Sequence, residues 1–80
     1  MKKIIEIIEW SGVILILLAY IFISFEILTP KNIAYQLLNA VGAIFIMYGA
    51  YNKKDYQPVA LNLVWLIIAI IAIINVLFLL

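Results

Sequence analysis

The fold of this chain is decided by an uncharged stretch that reads YQPVALNLVWLIIAIIAIINVLFLL at residues 56–80. A helix rises about 1.5 Å per residue and the hydrocarbon core of a bilayer is about 30 Å thick, so roughly 20 apolar residues cross it. Two further uncharged stretches precede this one, at residues 10–25 and 32–52. The sequence therefore predicts an all-α integral membrane protein, a bundle of three transmembrane helices that forms one domain over residues 1–80.

The overall composition supports a membrane location and argues against several functions. Of the 80 residues, 70% are hydrophobic and 11% are charged, which leaves too little polar surface for a soluble globule of this size. The chain has no cysteine and no histidine, the usual ligands and catalytic groups, so we expect no metal, no cofactor and no enzyme activity. A net charge of +1 is too small to attract nucleic acid, which we do not expect as a partner.

Local signals set the expected ends of the helices. Helix 1 is predicted over about residues 5–28, because proline disfavours a helical conformation in the residue before it and Pro30 follows. Asn32 is the predicted cap of helix 2, expected over about residues 32–52. Pro58 is predicted in the first turn of helix 3, over about residues 58–80, where a missing backbone N–H costs nothing.

The distribution of lysines predicts the orientation. Lys2, Lys3, Lys53 and Lys54 lie on one side of a three-span topology, and Lys31 lies on the other. Positive charges are enriched on the cytoplasmic side, so we expect a cytoplasmic N-terminus and an external C-terminus. Aromatic residues that favour the interface lie near the same cytoplasmic boundary: Trp10, Tyr48, Tyr51 and Tyr56. The expected location is a bacterial inner membrane or an archaeal membrane, with the first helix as a retained signal anchor.

Small and polar residues recur at three- and four-residue steps along each helix. They are Glu9, Gly12, Ile16, Ala19, Ile23 and Glu26 on helix 1, then Gln36, Asn39, Gly42, Ala43 and Gly49 on helix 2, then Asn62, Trp65, Ala69 and Ala72 on helix 3. Small residues let membrane helices approach closely, so one interpretation of these stripes is packing alone. The glutamates lie near the helix ends, where an interfacial position explains them better than an ion path.

Four amides within the predicted spans need hydrogen-bond partners. They are Gln36, Asn39, Asn62 and Asn75. An amide in hydrocarbon is costly unless it is bonded, so each must find a partner across the bundle or face water. Bonds between helices and a solute-binding cavity remain two open interpretations.

Three short segments resemble an uncharacterised family of small three-helix bacterial membrane proteins. The segments are Trp10-Ser11-Gly12, the run Tyr35-Gln36-Leu37-Leu38-Asn39-Ala40-Val41-Gly42-Ala43, and Leu61-Asn62-Leu63-Val64-Trp65. Together they extend over nearly the whole chain. This resemblance implies three spans and implies no activity.

A more distant resemblance is carried by Tyr48-Gly49, Pro58 and Asn62. These residues resemble positions in the SemiSWEET transporters, three-helix half-units of the PQ-loop and SWEET superfamily that dimerise to form a sugar pathway. In that family a tryptophan and a third-helix asparagine line the substrate pocket, and the resemblance places Phe45 and Asn62 at these positions. It implies a SemiSWEET-like fold and a homodimer.

Three hypotheses for function follow. In the first, the chain forms a homodimer of six helices that moves a small polar uncharged solute by alternating access, because three helices alone do not readily enclose a hydrated path. The predicted substrate-binding residues are Asn39, Phe45, Asn62 and Trp65. In the second, the chain is a structural or regulatory subunit that packs against a larger membrane protein. In the third, it is a holin-like pore former. All three place the chain in a lipid bilayer.

Overall fold

The computed structural model describes the backbone of residues 2–78 and the side chains of residues 3–78. It contains three helices, α1 (Lys2–Ser24), α2 (Ile33–Asn52) and α3 (Tyr56–Phe78). All three are long and apolar enough to cross a membrane. The prediction of an all-helical chain with three potential spans is confirmed, and the chain is a small membrane protein. The predicted end of helix 3 at Leu80 lies outside the described residues.

Helix α1 ends at Ser24, whereas the sequence predicted an end near residue 28. Glu26 adopts a left-handed conformation with φ 63°. The amide of Ile27 then donates to the Phe22 carbonyl at 2.8 Å, and the amide of Glu26 donates to the Ile23 carbonyl at 3.2 Å. These two bonds form a Schellman motif, which satisfies the last carbonyls of the helix before the proline is reached.

The α2–α3 connection uses the same motif. Lys54 has φ 59°, and its amide donates to the Tyr51 carbonyl at 3.0 Å. The amide of Asp55 donates to the Ala50 carbonyl at 2.9 Å. Helix α3 can therefore start directly at Tyr56, two residues before the predicted position, with Pro58 in its first turn.

The start of α2 agrees with the sequence prediction. Asn32 is its cap, and the Asn32 side-chain oxygen accepts a hydrogen bond from the amide of Ala34 at 2.8 Å. This bond satisfies one of the backbone N–H groups that have no partner within the helix. The cap therefore fixes where the second helix begins.

The three helices form an open layer rather than a closed bundle. Helix α2 packs against both α1 and α3, while α1 and α3 make no contact with one another within residues 2–78. The molecule measures 43 × 23 × 17 Å, as expected for three long helices side by side. Most large side chains of α1 and α3 consequently face the surroundings.

The α1–α2 interface depends on two glycines. Gly12 and Gly42 are both buried, and a Cβ added to Gly12 would lie 2.5 Å from the carbonyl oxygen of Gly42. The two backbones are therefore in direct contact, which only residues without a side chain permit. Gly49 lies against Glu9 in the same interface, so that Gly12, Gly42 and Gly49 bear out the predicted packing stripe.

The α2–α3 interface has a seven-residue repeat. Buried residues on α2 recur at Gln36, Ala43 and Ala50, and those on α3 recur at Asn62 and Ala69. Because α3 contacts only α2 within the described chain, Asn62 and Ala69 owe their burial to α2. A repeat of seven keeps the same faces together when two helices cross at a small left-handed angle.

Candidate functional site

An open pocket lies between α2 and α3 beside the turn that carries Pro30 and Lys31. Its volume is about 190 Å³. The lining residues are Pro30, Tyr35, Gln36, Asn39, Trp65, Ile68 and Ala69. Two of the four predicted substrate-binding residues, Asn39 and Trp65, therefore meet in one place.

Asn39 is the polar centre of this pocket. It is half-buried within the second membrane span, and its side chain forms no hydrogen bond with any residue of the described part of the chain. Since no fully buried side-chain nitrogen or oxygen lacks a partner among the described residues, the Asn39 amide is accessible from the pocket. Leaving an amide without a partner in an apolar environment costs roughly 2–7 kcal/mol, so Asn39 favours a bound polar group.

Gln36 forms the wall of the pocket nearest to the α1–α2 turn. Its side chain is only 7% exposed, and its amide nitrogen donates to the Pro30 carbonyl at 2.7 Å. The hydrogen bond attaches the turn to α2. Gln36 thus supports the pocket shape, and this bond occupies one of the two N–H donors of its amide.

The other two predicted residues lie elsewhere in the single chain. Asn62 is 7% exposed and donates to the Pro58 carbonyl of its own helix at 2.8 Å. Phe45 packs on the α1 side of α2, since a Cβ added to Gly12 would lie 2.8 Å from the Cβ of Phe45. Within one chain, the four residues therefore do not share a single pocket.

The chemistry of the pocket suits a neutral polar molecule. No lining residue carries a charge. The lining side chains of Asn39, Tyr35 and Trp65 each combine a hydrogen-bonding group with apolar atoms. Sequence reasoning missed Tyr35 as a lining residue, although its spacing of four from Asn39 already placed both on one face of α2.

A second polar region lies at the opposite end of the helices. The Lys53 ammonium group donates to Glu9 Oε1 at 2.6 Å, which links α1 to the end of α2. This hydrogen bond with Glu9 raises the pKa of Lys53 above its ordinary value of 10.5. Glu9 was expected at the interface because it lies near a helix end, and the structure adds this interhelical partner. Among residues 2–78, no group of three or more acidic residues could hold a metal ion.

Comparisons with known proteins identify the family of this chain and no individual relative. No curated protein and no solved structure matches this chain. The model of one uncharacterised family does match, over residues 5–78, which include nearly all of α1 and the whole of α2 and α3. Because the match extends over almost the whole sequence, this membrane protein belongs to that uncharacterised family.

Proposed function

We propose that this protein binds a small polar uncharged solute in the Asn39–Trp65 pocket and moves it across the membrane as a SemiSWEET-like homodimer. The observation that carries the proposal is the Asn39 amide, which is half-buried in a span and has no hydrogen-bond partner in the described chain. A hydroxyl or amide of a solute would supply that partner. Indole and phenol rings beside the amide provide apolar contact.

The open shape of the single chain supports the proposal of a second copy. Three helices in a layer enclose no path, and the pocket wall on α3 is exposed, with Trp65 at 47% and Ile68 at 54%. A second chain placed over this wall would close the pocket and add the same polar groups by symmetry. Alternating access then requires the two copies to rock about the shared pocket.

Solute uptake by reconstituted protein tests the proposal. Purified chain in liposomes is given radiolabelled neutral solutes, with sugars, polyols and urea as the first panel. We expect uptake of at least one solute, and we expect Asn39→Leu to abolish it. The matched control is Asn75→Leu, since Asn75 is an exposed amide of α3 outside the pocket. Equal uptake by Asn39→Leu and the wild type would refute the assigned role.

Cross-linking tests the dimer separately. The chain has no cysteine, so a single introduced cysteine reports one position without background. We expect Ile68→Cys to form disulfide-linked dimers in the membrane. Ile14→Cys on α1, which is exposed to a similar degree, is expected to remain monomeric. Equal linkage at both positions would indicate random collision instead of a shared face.

A packing subunit is the second candidate, because the same open face also suits a helix from a different membrane protein. In that case Asn39 bonds to the partner helix instead of to a solute. The two proposals differ in a simple measurement. A packing subunit copurifies from detergent with one defined partner, and its Ile68→Cys variant forms no disulfide-linked dimer. The proposed transporter self-associates in the absence of any partner protein.

A further inference from the structure

We infer that the charged cluster around Lys53 binds the headgroup of a phospholipid that carries both a phosphate and a primary ammonium group. The inference is independent of the proposed solute pocket, which lies at the other end of the helices. It rests on the shape and the charges of the Lys53 cluster and on its place at the ends of α1 and α2.

Two neighbouring cavities form the cluster. One, of about 390 Å³, is lined by Ile5, Glu6, Asn52 and Lys53. The other, of about 330 Å³, is lined by Glu6, Glu9, Trp10, Val13 and Lys53. Both cavities share Glu6 and Lys53, so a single ligand could contact an anionic and a cationic side chain at once.

The charges of the cluster are mixed and only partly paired. Glu9 is fixed against Gly49 and bonded to Lys53 at 2.6 Å. Glu6 is exposed and forms no ion pair within residues 3–78, yet it is close enough that its charge contributes to raising the pKa of Lys53. Glu6 therefore remains available for a ligand ammonium group, with which it would form a charge-assisted hydrogen bond.

Lys53 can bind a phosphate while it stays bonded to Glu9. An ammonium group has three donors, and the Lys53 side chain is 52% exposed. The other charges nearby are Lys3, which lines an adjacent cavity together with Glu6, and the exposed Lys54 and Asp55 beyond α2. Among the described residues, the three acidic side chains Glu6, Glu9 and Asp55 balance the three lysines Lys3, Lys53 and Lys54. A cluster of mixed charges with no net charge favours a zwitterionic headgroup over a purely anionic one.

The position of the cluster favours a lipid over a soluble phosphoamine. It lies where α1 begins and α2 ends, and the exposed rings of Trp10 and Tyr51 lie at the same end. Such rings favour the membrane interface. Beyond Trp10, Val13 lines this cavity and the exposed Ile14 lines the adjacent one, and together they offer an apolar surface along which acyl chains can lie.

Native mass spectrometry of the full chain tests the inference. The protein is reconstituted in an equal mixture of phosphatidylethanolamine, phosphatidylcholine and phosphatidylglycerol. The lipid that stays bound after the protein is released from the membrane particle is then identified. We expect preferential retention of phosphatidylethanolamine. Glu6→Gln should reduce this preference about tenfold, because the acceptor of the ammonium group loses its negative charge. Lys53→Gln should reduce total retention of all phospholipids.

Matched variants at the other end of the helices serve as controls. Glu26→Gln and Lys31→Gln change the same residue types at exposed positions and should leave retention unchanged. Soluble glycerophosphoethanolamine should fail to displace the lipid, and efficient displacement would indicate a soluble ligand and refute the lipid. Equal retention of the three lipids, or a phosphatidylglycerol preference insensitive to Glu6→Gln, would also refute the inference.

Discussion

Gly12 and Gly42 bring the backbones of α1 and α2 into contact, so that a Cβ on Gly12 would lie 2.5 Å from the Gly42 carbonyl oxygen. No real Cβ tolerates that distance from a backbone atom, and a larger residue must push the helices apart. The same contact brings Glu9 over Gly49 and within reach of Lys53.

Gly12→Ala should therefore destabilise the protein. Alanine is a better helix former than glycine by about 1 kcal/mol, but overpacking costs about 1–3 kcal/mol, so we expect a net loss. Denaturant unfolding in mixed micelles, followed by circular dichroism, measures the free energy. Ser11→Ala is the control, since it removes only a local bond from the Ser11 hydroxyl to the Ile7 carbonyl. A Gly12→Ala variant more stable than the wild type would contradict this packing.

The Glu9–Lys53 pair should make stability depend on pH in the alkaline range. The hydrogen bond with Glu9 raises the pKa of Lys53 above 10.5 in the folded protein. A raised pKa means that the stabilisation is complete below pH 10.5 and is lost as the pH rises through the folded-state pKa. We expect the thermal midpoint to fall over this range in the wild type and to fall less in Glu9→Gln. Glu26→Gln, which leaves the pair intact, should behave as the wild type.

Replacing the two left-handed residues by glycine should stabilise the protein. Glu26 and Lys54 have φ 63° and 59°, where a side chain is strained and glycine is not. We expect Glu26→Gly and Lys54→Gly each to add about 0.5–1 kcal/mol to the free energy of unfolding, because the relief of strain exceeds the extra unfolded-state entropy of glycine. Glu6→Gly, inside α1, should have the opposite effect. Destabilisation by all three variants would argue against the Schellman motifs.

Replacing two different amide side chains of α2 by leucine should affect stability differently. Gln36→Leu removes the buried bond to the Pro30 carbonyl and should cost about 0.6–2 kcal/mol. Asn39→Leu removes no bond within the described chain and should leave stability unchanged or slightly increased. Unfolding of both variants under the same conditions measures the difference. A large loss in Asn39→Leu alone would show that Asn39 is structural.

The sequence identified polar residues that need partners within the spans, but it did not show which of them share one pocket. Asn39 could be identified because an amide within an apolar stretch requires a partner. Asn62 met the same criterion, yet its side chain bonds to Pro58 one turn earlier in its own helix. The sequence did not indicate that Trp65 lines the pocket while Phe45 packs against α1, because the face of a helix that meets a neighbour depends on the tertiary arrangement.

The sequence by itself determined that the helices can cross a membrane, how many there are and where several of them end. Length and hydropathy determine whether a helix can cross a bilayer, and a cap such as Asn32 acts on its nearest neighbours. Only the tertiary structure decided that α2 lies between α1 and α3, that Glu9 meets Lys53, and that Trp65 meets Asn39. These relationships join residues far apart in the chain, and they arise from how closely small residues let the helices approach.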